Sequence, residues 1–291
     1  MPFVQKMLLV LIATCINAGV TLTATAQASL LSSEECAGHT SDVGTGLYRV
    51  CFTYTGENWT HADVAAITFN TDKPIAVIPV QYTAGPAQPG AEVGGKNIGL
   101  EWNRITQEEL AKRLRAKGFF VLTPTIQMYG ENWDGFQGLE HFIAGVAKGN
   151  KHVQTILLTA DSHIVVEQNP FPGAQMLVTG VYARDLKWEA TIQRNIAPFY
   201  KATGLRNIGA RVRGGFSDQE GSSKAWHPLI ERTAEYGPTV AIMEAAQAVQ
   251  IVEQAGSIAA GRLWAAPLFD GIVAGMVEHA CKQTDALPAC N

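Results

Sequence analysis

The sequence predicts an α/β fold, with a mixed, mainly parallel sheet of about six strands covered by helices on both faces. Two observations carry this. Apolar runs of strand length recur along the chain, at residues 75–80, 153–159 and 239–243, as buried strands require. Between them lie segments whose apolar residues return at helical spacing, such as Trp102, Ile105, Leu110 and Leu114. Composition agrees: 291 residues, 47% hydrophobic and 16% charged, exclude a disordered, collagen-like or coiled-coil chain. The length suits one large domain or at most two.

Taken in order, the chain opens with a secretory pattern. Lys6 precedes an apolar stretch at 7–16, and Ala26-Gln27-Ala28 offers small residues at cleavage spacing, making Ser29 the first mature residue. Asn17 and a threonine-rich tract end the apolar run well short of a membrane span, so no stable span is expected after cleavage. Lipidation at Cys15 is disfavoured by Thr14 immediately before it. The division expected is a signal over 1–28, a disulfide-containing extension over 29–72 and an α/β domain over 73–291.

Within the mature chain, strands are expected at 47–54, 75–80, 119–123, 153–159, 175–182 and 239–243, with 57–73 irregular. A Gly/Pro/Ala-rich loop over 82–99 precedes a helix that stops at Gly118, and loops of that length are often functional. Residues 138–148 read as helical. Trp188, Ile192, Ile196 and Phe199 mark a helix kinked or ended at Pro198. A polar loop covers 214–224, and a closing helix runs over 268–280.

Four cysteines remain after cleavage, Cys36, Cys51, Cys281 and Cys290. An even number in an exported chain implies two disulfides with three possible connectivities, of which the local pairs Cys36–Cys51 and Cys281–Cys290 are expected. Their spacing is not that of a zinc site. The 22 basic residues, set against 26 acidic ones without a basic run, exclude a nucleic-acid footprint.

The chemistry-bearing residues stand just after the core strands: Gln81 and Tyr82, then Asp161, Ser162 and His163, then Glu244, with Glu101 opening the helix after the long loop. Ligand groups of such sheets collect at the carboxyl ends of strands. A carboxylate there serves as a base or a metal ligand. Each acid alone reads as a helix cap or a solvated surface group, but one sheet edge collects them all. Adjacent Ser162 and His163 point to opposite sides of an extended segment, and no G-x-S-x-G elbow is present. Trp226 and His227 are candidates for a groove wall, against a packed histidine in a turn. Asn58-Trp59-Thr60 matches a glycosylation sequon.

The order of these segments resembles the zinc-dependent N-acetylmuramoyl-L-alanine amidases over about residues 73–282. Val77-Ile78-Pro79-Val80-Gln81-Tyr82 stands where that family has V-I-D-P-G-H. Glu101-Trp102-Asn103 followed by Leu110, Leu114 and Gly118 matches its E-x-N helix, and Leu158-Thr159-Ala160-Asp161 its strand ending S-I-H-A. Pro238-Thr239-Val240-Ala241-Ile242-Met243-Glu244 matches P-A-V-L-V-E.

The resemblance implies peptidoglycan or muropeptides as substrate in the periplasm or outside the cell, zinc as cofactor, Glu101 as a ligand and Glu244 as general base. Both family histidines are replaced, by Tyr82 and Asp161. Asp161, with His163 two residues on, is the substitute ligand available, and Tyr82, Trp226 and His227 fall to substrate binding. An oxygen-only set suits zinc poorly, so the metal is doubtful. Two other readings stay open: a catalytically inactive amidase fold that binds peptidoglycan fragments or a partner protein, and metal-free hydrolysis by paired carboxylates.

Overall fold

The apolar runs become strands, and most pair in parallel. The computed structural model describes residues 41–42, 47–48, 51–52, 71–83, 92–93, 96–128, 134–158, 174–179, 182–213 and 237–290. The signal segment, Cys36, the sequon, Asp161–His163, the 214–224 loop, Trp226 and His227 lie outside these.

The described residues open with short strands β1 (Ser41–Asp42), β2 (Leu47–Tyr48) and β3 (Cys51–Phe52), then β4 (Ile75–Val77) and β5 (Val80–Thr83). A two-stranded ribbon, β6 (Glu92–Val93) and β7 (Lys96–Asn97), leads into α1 (Ile98–Ala116). After it come β8 (Phe120–Leu122), β9 (Thr125–Met128), α2 (Asp134–Gly149) and β10 (Val153–Leu158). The second half contains β11 (Ala174–Thr179), α3 (Ala183–Thr203), β12 (Asn207–Arg213) and β13 (Thr239–Glu244). It closes with α4 (Ala248–Ala255), α5 (Ile258–Trp264) and α6 (Ala266–Cys281).

The main sheet follows the order β1-β2-β8-β4-β10-β13-β11-β12, with β3, β5 and β9 continuing neighbouring strands. Pairing is parallel except for β1 with β2 and β11 with β13. The mixed, mainly parallel sheet is therefore as expected, but the count of about six is not. Eleven segments join it.

Two prolines cause part of the difference. Pro79 separates β4 from β5, and Pro124 separates β8 from β9, at the same level of adjacent strands. Ile78 N–H donates to Leu122 O at 2.8 Å, so the next rung of a parallel ladder would run from residue 124 to Ile78 O. Proline has no N–H to give. Gln107 of α1 supplies it instead, its Nε2 donating to Ile78 O at 2.7 Å and to Pro124 O at 3.2 Å. The ladder then resumes with Val80 N–H to Pro124 O at 3.0 Å. Gln81 and Tyr82 consequently belong to β5 rather than following the strand.

Residues on successive positions of these strands face opposite layers. Ala76, Ile78, Val121, Ile156, Leu158, Ala241 and Met243 join one large cluster with α1, α3 and α6. Ile75, Val77, Leu122 and Leu157 are as deeply buried but lie outside that cluster. The other layer includes α2, which packs on β3, β9 and β10 through a segment containing buried Phe142, Ile143 and Val146.

Pro198 neither ends nor replaces α3. The helix continues to Thr203, because Pro198 sits on its exposed side, and terminates at Gly204 in the left-handed conformation (φ 71°). Gly118 stops α1 as expected, with φ 98°. Helices α3 and α6 approach closely over Gly271 and Gly275, where an added Cβ would lie 2.7 Å from Asn195 O and 2.7 Å from Ile192 Cα. Strand β12 and helices α4 and α5 were not anticipated from the sequence.

Candidate functional site

Topology puts three of the expected site residues on one edge of the sheet. Leu158, at the end of β10, is level with Val80 of β5 on one side and Met243 of β13 on the other. Tyr82 is two residues beyond Val80, and Glu244 is one beyond Met243. Leu158, the last residue of β10, therefore stands between these two strand ends. Helix α1 reaches the same edge with its first turn: it ends at the opposite edge, where Phe120 N–H donates to Pro74 O at 3.0 Å, and its 19 residues span about 28 Å. Glu101 lies in that first turn and is exposed to solvent.

Glu244 is half-buried. Its backbone pairs with Gln175 of antiparallel β11, and the next residues, Ala245 and Ala246, are 4% and 3% exposed. The hydroxyl of Tyr200, near the end of α3, donates to Ala245 O. Among the described residues no three His, Cys, Asp or Glu side chains gather as a metal-holding group.

Two carboxyl groups perturbed by burial sit at the other edge. Because β11 runs against β13, α3 starts beside the amino ends of the parallel strands. Asp185 in its first turn is 0% exposed, with neither carboxylate oxygen hydrogen-bonded. Burial pushes its pKa up to about 7, against the opposing pull of Arg184, whose Nε lies 3.7 Å away. Glu189, one turn on, is also pushed to about 7 by burial, opposed by Gln193.

Nearby, Gln154 of β10 accepts from Trp188 Nε1 at 2.7 Å and donates to Met276 O at 3.0 Å, tying the sheet to α3 and α6. Burial, reinforced by the Lys282 charge, lowers the pKa of His279 to about 4, so this imidazole is neutral. Asp185 and Glu189 escaped the reading of strand ends, yet a signal existed. They share the helical stripe of Trp188, Ile192 and Ile196 that faces the core.

Charged groups elsewhere are used in packing. Arg262 bridges Glu108 at 2.6 Å and Glu109 at 3.2 Å, and Arg113 pairs with Glu109 and, at 2.9 Å, with Asp270, joining α1, α5 and α6. Cys281 and Cys290 are close, with Cα atoms 5.3 Å apart, inside the span a disulfide bridges. No helix among the described residues is long and apolar enough to cross a membrane.

No protein-family model matches the chain, and no curated protein does. Among solved structures it is similar to an N-acetylmuramoyl-L-alanine amidase from Clostridium difficile 630, at 11% identity and TM-score 0.48, over 74% of this chain and 100% of that one. It is similar to the CwlD amidase of Clostridioides difficile, solved with the GerS lipoprotein, at 12% identity and TM-score 0.49, over 71% of this chain and 99% of that one. A third likeness is to the catalytic domain of CwlV, an amidase from Bacillus (Paenibacillus) polymyxa, at 15% identity and TM-score 0.44, over 71% and 98%. At these identities and TM-scores no activity or residue role transfers to this chain.

Proposed function

We propose that the chain is an exported amidase-like hydrolase that cleaves the amide between N-acetylmuramic acid and L-alanine of peptidoglycan, with Glu244 as general base. The observation supporting this is the shared carboxyl edge of Tyr82, Glu101 and Glu244, around the end of β10 at Leu158. In this reading residues 1–28 are removed on export, a Cys281–Cys290 disulfide fixes the C-terminus, and Tyr82, Trp226 and His227 contact the muropeptide. Glu244 takes a proton from water as the water oxygen attacks the amide carbon. The same proton then passes to the alanine nitrogen as the C–N bond breaks.

A metal would polarise the amide carbonyl, and Glu101, Asp161 and His163 are its candidate ligands. The donors fit zinc poorly. Glu101 is exposed in the first turn of α1, Tyr82 and Asp161 offer oxygen where nitrogen is wanted, and His163 is the one imidazole in the set. The same two replacements favour a second reading, an inactive fold that binds peptidoglycan fragments.

The test is release of stem peptides from purified sacculi by the chain from residue 29 onward, with and without added zinc. Release by the wild type is expected, falling about a hundredfold or more in Glu244→Gln. An unchanged rate in that variant removes Glu244 from the chemistry. Absence of release under both conditions, with muropeptide binding measured by calorimetry, establishes the second reading instead.

A further inference from the structure

We propose that Tyr200 is a positioning residue for Glu244, acting through the carbonyl of Ala245; the assignment rests on Glu244 being the base. Strand β13 ends at Glu244, and the chain turns through residues 245–247 into α4. That turn is buried, with Ala245 at 4% and Ala246 at 3% exposure. A carbonyl there has no water to turn to and must find a partner within the protein. The partner of Ala245 O is the Tyr200 hydroxyl.

The donor is well held. Tyr200 is 5% exposed and belongs to the large core cluster. Phe199 packs edge-on against its ring at 5.2 Å and against Trp264 at 5.1 Å. The helix terminates immediately afterwards, with Gly204 N–H donating to Tyr200 O at 3.0 Å. Burial raises the phenol far above its ordinary range, so it stays a neutral donor at every pH at which the protein would work.

Glu244 is thus anchored from two sides. Its own backbone is in register with Gln175 of β11, and the turn after it is tied to α3. Remove the second anchor and β13 still forms, but the direction in which the chain leaves Glu244 is no longer fixed. A displacement of about 1 Å at a reacting group can cost as much as a hundredfold in rate, so a hydroxyl that touches no substrate can still govern the reaction.

The test compares Tyr200→Phe with Ile192→Val, which loosens the same helix at a fully buried position two turns before Tyr200. Protonation of Glu244 is followed by carbon-13 NMR of its carboxyl, identified by its loss in Glu244→Gln. Tyr200→Phe is expected to change the Glu244 protonation constant about threefold or more. It is also expected to lower kcat about tenfold at unchanged KM. Ile192→Val is expected to lower Tm and leave both unchanged. A Glu244 titration identical in wild type and Tyr200→Phe overturns the proposal, as does an equal change in Ile192→Val.

If Tyr200→Phe does not fold, 3-fluorotyrosine at position 200 retains the bond and reports on it. A fluorine resonance that titrates with Glu244, and stops titrating in Glu244→Gln, supports the proposal; one indifferent to Glu244 overturns it. Should the wild type release no peptide, the hydrolase reading falls while the titrations still decide the role of Tyr200.

Discussion

Replacing Gln107 by methionine keeps a long side chain of good helix propensity but removes both of its donated hydrogen bonds. Ile78 O and Pro124 O then lose the donor that stands in for the missing proline N–H, although Pro124 O keeps its bond from Val80. An unpaired buried carbonyl costs about 1–3 kcal/mol, whereas the propensity change is a few tenths at most. Gln107→Met is therefore expected to lose about that much in chemical denaturation, and a loss near zero would show that the carbonyl finds another donor. Nothing in the sequence marked Gln107, because its role exists only where two proline-broken strands lie side by side under one helix.

At the scale of elements, the α3–α6 pair depends on two glycines four residues apart. An alanine Cβ at 275 would meet the Ile192 backbone at 2.7 Å, and one at 271 the Asn195 carbonyl at 2.7 Å. Helix propensity alone would favour Gly275→Ala by about 1 kcal/mol. Overpacking against backbone costs about 1–3 kcal/mol and is expected to outweigh it, because neither helix can retreat. Trp188, Ile192 and Ile196 hold α3 in the core, and Gln154 ties both helices to β10. The expected outcome is a lower Tm for Gly275→Ala, and a raised Tm would mean that the helices separate freely. The helices themselves were legible from apolar spacing. Their crossing was not, since a glycine in a helix reads only as a weak point until its neighbour is known.

For the whole molecule, buried ionisable groups set how stability varies with pH. Asp185 and Glu189 have folded pKa values raised to about 7, so they penalise the folded state as pH rises from the ordinary carboxylate range through 7. His279, lowered to about 4, acts oppositely: its contribution is intact above the ordinary histidine pKa and is lost as pH falls from there toward 4. Between these limits two acids outweigh one histidine, and the folded chain holds more protons than the unfolded one. Stability is expected to be greater near pH 5 than near pH 8, and the double variant Asp185→Asn, Glu189→Gln is expected to abolish that gain. Thermal melts at the two pH values check it; an equal difference in the double variant would place the dependence in other groups.

Local patterning was enough to read the fold class, most strand positions and the edge of the sheet at which Tyr82, Glu101 and Glu244 stand, though not that Tyr82 lies within β5. These follow from local apolar patterning and from the rule that a parallel sheet carries functional groups at one edge. Tertiary structure alone decided that Pro79 and Pro124 fall at the same level, that β12 extends the sheet and that α3 spans it. It therefore also decided that two acids are buried at one end of α3 while Tyr200 meets the turn after Glu244 at the other. Each of those facts joins residues far apart in the chain, and the burial or hydrogen bond that gives them consequence exists only once the layers close over them.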